Sequence, residues 1–436
     1  MKQKTNFKET EAGRIPEDWE VKKVDEIKSK EKKAVISGPF GSNIGQKYFV
    51  DSGIPVIRGN NLTTDMKRFI DRGFVFVTEE KAEELGTWAF REDLVFTAAG
   101  TIGQVGIIEE SSKYGRYIIS NKQLRLRVDK NKVRPLFAYY WFSNKKMTKR
   151  IQNYNTGSTI PLINTSILKD LPVVLPSLDE QEGIIHLLDS LDSKIELNNR
   201  MNKTLEAIGQ AIFKHWFVDF EFPNKEGKPY KSSGGEMVDS ELGEIPKEWE
   251  ITNLIAWSTL MMGLSPKGDS YNDTRDGSPL LNGAADFSEE TIKPRKFTSR
   301  PTRICKKDDL IFCIRATIGN LTIADKEYCL GRGVAAITPN NEAYTEFMYF
   351  SLKHSFDSLI SIASGSVILG LSKSDIGGLK LVTNKNIIEL YHNMMEKLFV
   401  KKIALTHENK NLSYMRDILL PKLMSGQIRV PVEAST

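Results

Sequence analysis

The chain is 436 residues long, 40% hydrophobic and 27% charged, the make-up of an ordinary globular protein with room for two or three domains. Its 61 Lys and Arg against 56 Asp and Glu leave a net charge of +5, which permits nucleic-acid binding without requiring it. No apolar run reaches the roughly 18 residues of a membrane span, and the opening MKQKTNFKETEAG lacks the apolar core of a signal peptide, so the expected location is cytoplasmic, with no membrane partner. The three cysteines, Cys305, Cys313 and Cys329, form no C-x-x-C pair and read as small buried hydrophobes rather than a disulfide or zinc framework.

In chain order, residues 1–175 mix β-like runs (75–77, 94–96, 106–108, 124–128) with a helical run over 134–153, an α+β pattern. Residues 176–220 then form a helical seam, with Ile184, Leu188, Leu191, Ile195, Leu205 and Ile212 at three- and four-residue spacings. Ser177-Leu178-Asp179-Glu180 predicts a capping box at its start, and Pro223 a stop beyond its end. About forty residues at 1.5 Å each make a rod of roughly 60 Å, which suits a spacer. A Pro-, Gly-, Ser- and Lys-rich stretch, 221–242, reads as an exposed linker. A second α+β segment covers 243–384. A second seam over 385–426 carries Ile388, Tyr391, Met395, Leu398, Leu405, Leu412 and Leu419, with Asn386 to Glu389 as its capping box and Pro421 as a weak point or end. Residues 427–436 remain as a tail.

The two halves repeat each other. Gly13-Arg14-Ile15-Pro16-Glu17-Asp18-Trp19-Glu20 returns as Gly243-Glu244-Ile245-Pro246-Lys247-Glu248-Trp249-Glu250, and Asp93-Leu94-Val95-Phe96 with Thr101-Ile102-Gly103 returns as Asp309-Leu310-Ile311-Phe312 with Thr317-Ile318-Gly319. Trp141-Phe142-Ser143 and Gly157-Ser158 match Tyr349-Phe350-Ser351 and Gly365-Ser366, and Lys194-Ile195 with Leu197 matches Lys402-Ile403 with Leu405. Ordered matches of this kind mark a duplication. The offset between partners falls along the chain, so the intervals between anchors differ in length, as loops on a shared scaffold do. Two seams of similar length, each burying one stripe, predict an antiparallel coiled coil, with Asn198, Asn202 and Asn409 as polar seam positions that set register.

Catalytic signatures are scarce. There is no G-x-x-x-x-G-K-[ST] loop, and the run from Thr101 to Gly106 is too loose for a dinucleotide fingerprint. His186, His215, His354, His392 and His407 are scattered. Asp219, Glu221 and Lys225 faintly suggest a nuclease site, but at a helix end beside a linker. The chain reads as a binder, with no catalytic or metal residue of its own. Glycine-rich polar loops occur in both halves: Ser37, Phe40, Ser42 and Asn43; Arg58, Asn60 and Asn61; Thr101; Asn121 and Gln123; Ser158 and Thr159; then Asn282, Arg315, Thr317, Arg332, Ser364 and Ser366. Glycines allow close backbone approach, Asn, Gln and Arg fit base edges, and hydroxyls and the run holding Lys145 and Lys146 suit phosphates. The lysine run is not repeated: its second-copy positions include Asp357 and Ser358.

This arrangement resembles the DNA-specificity (S) subunit of type I restriction-modification systems over nearly the whole chain. The pieces that carry the resemblance are the two Ile-Pro-x-x-Trp openings, the two Gly-Ser loops, Leu171-Pro172-Val173-Val174-Leu175-Pro176 leading into Asp179-Glu180-Gln181, the 194–220 helix, and Leu419-Leu420-Pro421-Lys422-Leu423-Met424-Ser425-Gly426. Asn384-Lys385-Asn386 departs from the family's proline and Glu-Gln lead-in. The resemblance implies two target-recognition domains, each reading half of a split site on double-stranded DNA. It also implies two spacer helices that dock two methyltransferase subunits, with restriction and translocase subunits in the full complex. S-adenosylmethionine, ATP and Mg²⁺ would then sit on those partners and no cofactor on this chain. Leu197, Met201, Ile208, Phe213, Trp216 and Phe217 lie off the seam and are the candidate docking residues. The rival reading is a duplicated coiled-coil adaptor that holds two proteins without reading DNA.

Overall fold

The computed structural model describes residues 6–154, 162–288, 291–363 and 369–430. The fold is α+β and the chain divides into two compact units, residues 1–194 with 411–436, and residues 195–410. Both long helices therefore contribute to both units, which the sequence boundaries did not anticipate.

In the first unit, one four-stranded sheet runs in the order Val75–Val77, Ile54–Ile57, Arg116–Ile119, Trp88–Phe90, and a second in the order Val35–Ser37, Gln123–Leu126, Leu94–Thr97, Val105–Ile107. Only Ile54–Ile57 and Arg116–Ile119 pair in parallel, with Ile57 opposite Ile119. The second unit repeats the plan. Its five-stranded sheet is Tyr271–Asn272, Lys296–Thr298, Ser278–Leu281, Tyr328–Leu330, Ile304–Cys305, and its four-stranded sheet is Ser258–Met262, Val334–Pro339, Leu310–Cys313, Thr322–Ile323. Its parallel pair sets Leu281 opposite Leu330. The repeated aspartates do the same work in each copy: Asp93 accepts from the Phe90 amide at 2.9 Å and Asp309 from the Lys306 amide at 2.7 Å. Their second partners differ, Arg127 for Asp93 and the Thr338 hydroxyl for Asp309.

The aromatic run after Arg134 forms the helix Pro135–Ser143, with proline in its first turn and nearly every residue buried. It does not continue to Asn153 as the sequence suggested. Asn144 breaks it, because its side chain accepts from the Met147 amide at 2.9 Å and so starts a new helix, Lys145–Asn153. The repeated opening motif closes each domain onto its helices. Strand Glu20–Lys23 pairs with Pro172–Leu175, and Glu250–Asn253 with Lys380–Thr383, so the strand that follows each opening motif meets the last strand of its domain where a long helix begins. Trp19 is fully buried and donates its indole N–H to Glu180 at 3.0 Å. The guanidinium of Arg429 bridges Glu180 and Asp18 and lies over the Trp19 ring.

The central helix, Leu178–Phe213, has 36 residues and the distal helix, Lys385–Met424, has 40. They pair antiparallel in each unit. Asp192 meets Arg416 at 2.8 Å in the first. In the second, Asn198 meets Asn409 at 2.9 Å, Asn202 meets Thr406 at 3.1 Å and Glu206 meets Lys402 at 2.6 Å. The polar seam positions thus bond across the pair, as expected of register-setting residues.

Four terminal details differ from the sequence reading. Ser177 caps the Glu180 amide at 3.3 Å, but the Glu180 carboxylate is taken by Trp19 and Arg429 instead of completing the box. Asn384, not Asn386, caps the distal helix by accepting from the Ile387 amide at 3.2 Å. Pro421 does not end that helix: Leu420, Leu423 and Met424 are buried in the first unit's core, and that burial outweighs one lost hydrogen bond in a last turn. The central helix ends earlier than Pro223, in a π-turn over Lys214–Val218 with Phe220 at φ +59°.

Residues 221–242 are only partly an exposed linker. Phe222 is buried against Trp249 and stacks on Tyr230. All three cysteines are free and buried, and burial pushes the Cys305 and Cys313 thiols up to about 12. Among the described residues no helix is long and apolar enough to cross a membrane.

Candidate nucleic-acid interface

Loops from five parts of the first unit are knitted together at the ends of its strands by backbone hydrogen bonds. The Gly38 amide donates to the Gln123 carbonyl at 2.9 Å, the Ser120 amide to Ile57 at 2.9 Å, the Ala98 amide to Lys122 at 2.7 Å and the Ile163 amide to Ala98 at 2.8 Å. The second unit contains the same four bonds. Gly263 donates to Val334 at 3.0 Å, Gly331 to Leu281 at 2.8 Å, Ile314 to Gly333 at 2.9 Å and Leu371 to Ile314 at 3.0 Å. These pairs align the copies position by position: Phe40 with Ser265, Arg58 with Asn282, Ala99 with Arg315, Thr101 with Thr317, and Asn121 with Arg332.

Glycine is required where the loops close. A Cβ on Gly38 would overlap the Ser120 carbonyl, and one on Gly263 the Gly331 carbonyl. Gly103 and Gly319 both hold left-handed backbone, at φ +95° and +105°.

The structure gathers Ser37, Phe40, Ser42, Asn43, Arg58, Asn60, Thr101 and Asn121 on this edge of the first unit, where Phe40 is 84% exposed. In the second, Asn282, Arg315 and Arg332 line one cleft of about 260 Å³ together with Ser265, Gly283 and Gly333, and Thr317 is exposed beside it. Ser158, Thr159, Ser364 and Ser366 lie outside the described residues.

Two assignments need correction. Asn61 is fully buried: its Oδ1 accepts from the Arg58 amide at 2.9 Å and its Nδ2 donates to the Ile70 and Arg72 carbonyls at 2.9 and 3.0 Å. It shapes the loop, and being fully buried with both amide hydrogens spent it offers no donor to a ligand. Gln123 is also buried, accepting from the Ser120 hydroxyl at 2.5 Å. Lys145 and Lys146 are exposed, with Lys145 facing Asp417 at 3.7 Å and Lys146 reaching the Ala12 carbonyl at 3.4 Å, on a helix whose Thr148 and Gln152 pack against Gly103.

The docking candidates divide in the same way. Phe213, Trp216 and Phe217 are buried in the second unit's core against Tyr391, Phe347 and Trp249, because the aromatic end of the central helix seats that domain. Leu197 and Ile208 are exposed, and Met201 is half-buried. The faint nuclease cluster is consumed internally, since Asp219 pairs with Lys214 at 2.7 Å and Glu221 accepts from Ser232 at 3.1 Å.

Ser265 and Asp286 were not legible from the sequence. Buried Asp286 organises the second unit's loop as Asn61 does the first, accepting from the Asn282 and Arg295 amides at 2.7 and 3.2 Å. The signal was present only as a glycine ahead of each loop, Gly38 and Gly263, with no longer shared motif to align them.

Comparison with known proteins gives a consistent picture. A model described as the type I restriction modification DNA specificity domain matches residues 16–207 and again 246–414. The chain is 27% identical to the putative type I restriction enzyme MjaX specificity subunit of Methanocaldococcus jannaschii, over 98% of this chain and 97% of that protein. It is likewise 27% identical to the type I restriction enzyme MjaIX specificity subunit of the same organism, over 98% and 97%. These relatives are named for specificity, not for catalysis. Among solved structures, the S subunit of a type I restriction-modification system from M. genitalium is similar in fold, with a TM-score of 0.54 at 18% identity over 93% of this chain and 96% of that one.

Proposed function

Since the chain belongs to the type I restriction-modification DNA specificity family, we propose that it directs a type I complex to a split, asymmetric site on double-stranded DNA, each loop cluster reading one part. The observation that carries this reading is the pair of equivalent loop clusters, built on the same four backbone hydrogen bonds yet presenting different side chains. A conserved frame with unlike residues at equivalent positions suits two related readings of unlike sequences. The readers lie within residues 1–175 and 243–384. The paired helices of 176–220 and 385–426 act as the spacer and dock two methyltransferase subunits, for which exposed Leu197 and Ile208 supply apolar contacts. Catalysis belongs to those partners: S-adenosylmethionine serves methylation, and ATP and Mg²⁺ serve restriction and translocase subunits. The complex works in the cytoplasm.

Methylation mapping in cells that carry this chain with its methyltransferase subunits tests the proposal. A motif in two parts with an unread gap is expected. Replacing residues 1–175 by those of a relative should change one part only. A continuous motif, or a change in both parts, contradicts it, and sequence-independent binding with a shallow salt dependence favours the adaptor reading instead.

A further inference from the structure

The second unit's cleft differs from its counterpart in the first by its arginines. Arg315 and Arg332 flank it, both exposed, and among the described residues neither forms an ion pair with a carboxylate. At the equivalent positions the first unit has Ala99 and Asn121, and Arg58 stands where the second unit has Asn282.

The cleft floor is glycine. A Cβ on Gly333 would overlap the Asn282 carbonyl and one on Gly331 the Asn282 amide oxygen, so no side chain fits between this backbone and the Asn282 loop. Side-chain acceptors are few. The Ser265 hydroxyl already accepts from the Arg332 amide at 3.2 Å, which leaves Asn282 as the principal one. Among the described residues no carboxylate lines the cleft to accept from the exocyclic amino group of cytosine.

Exposed forked donors with no carboxylate partner among the described residues match the O6 and N7 acceptors of guanine, and one amide side chain matches adenine. On the proposed DNA-reading function, on which this rests, we infer that Arg315 and Arg332 are guanine-reading residues and that the half-site read by the second unit contains guanine. Asn282 reads a neighbouring adenine in the same half. The first unit, with one arginine at the aligned loop positions and no counterpart to Arg315, reads a different set.

Methylation mapping of the full chain with its methyltransferase subunits, as wild type and as Arg315→Lys, Arg315→Gln, Arg332→Lys and Arg332→Gln, tests the assignment. Equilibrium binding of the assembled complexes at two salt concentrations accompanies it. Lysine keeps the charge but not the fork. Expected is a guanine in the half-site that follows residues 221–436 when the halves are exchanged between relatives. Each lysine variant should relax one guanine, with discrimination falling between about 5-fold and 150-fold. The other half-site should stay unchanged, which also reports that the variant is folded. Two results overturn the inference alone: a second half-site made only of A·T pairs, or lysine variants that keep the motif while glutamine variants weaken every sequence alike and lower the salt slope by about one, as phosphate contacts do. A wild type with no two-part motif overturns the DNA reading itself.

Discussion

Gly209 sits in the interior of the central helix, where glycine costs about 1 kcal/mol relative to alanine. A Cβ there would overlap the Phe350 ring, and the Tyr391 hydroxyl bonds the Gly209 carbonyl at 3.5 Å. Close approach of helix and domain therefore requires the residue that the helix itself disfavours. Gly209→Ala is expected to destabilise the second unit by about 1–3 kcal/mol, as overpacking does, despite the gain in helix propensity. Chemical denaturation measures the sign, and a stabilised variant would show that the Phe350 contact does not matter. The same residue-scale logic separates Asn60 from Asn61. They are adjacent and chemically identical, yet one is exposed and the other is buried and spends both amide hydrogens on its own loop.

At the scale of the helix pair, polar groups are buried along the seam and each finds a polar partner on the facing helix. Buried Glu206 meets Lys402, Lys353 and the Tyr349 hydroxyl. Burial opposes its ionisation, but the two lysine charges outweigh burial and hold its carboxyl below the usual range. A carboxylate with a lowered folded pKa contributes stability that is fully present above its unfolded value, about 4.3, and is lost as pH falls through the folded value. Glu206→Gln should therefore be less stable than wild type near neutrality, with the difference shrinking below about pH 4. Unfolding free energies measured across that range check this, and a pH-independent difference would assign the effect to packing. The three helix–helix contacts of the second unit, Asn198 with Asn409, Asn202 with Thr406 and Glu206 with Lys402, fix one register, since a one-turn slip would leave each buried group unpaired.

At the scale of the whole molecule, both helices run unbroken from one compact unit into the other, past Lys194 and Lys410. On the proposed function this continuity makes helix length a property of the DNA site. A heptad inserted in each helix at those points adds about 10 Å, close to three base pairs at about 3.4 Å each. Methylation mapping should then show a longer unread gap with both read sequences unchanged. An insertion in only one helix should break the seam and abolish methylation. An unaltered gap would remove the helices as the spacer.

The duplication, the two helical seams and the asparagines at their interface were all legible in the chain, because repeats and three-four spacings are local patterns that survive without coordinates. Phe213, Trp216 and Phe217 have the spacing of an exposed apolar face but are buried, since the domain that covers them comes later in sequence. Gln123 and Asn121 share one short loop, and only the fold turns the first inward to the Ser120 hydroxyl and leaves the second exposed. The alignment of Arg58 with Asn282 and of Ala99 with Arg315 likewise rests on backbone hydrogen bonds between distant loops. Local pattern and composition determined the repeat, the helices and the kind of residue available for recognition. The tertiary structure decided which of those residues keep their donors and acceptors free, because that depends on partners brought together from far apart in the chain.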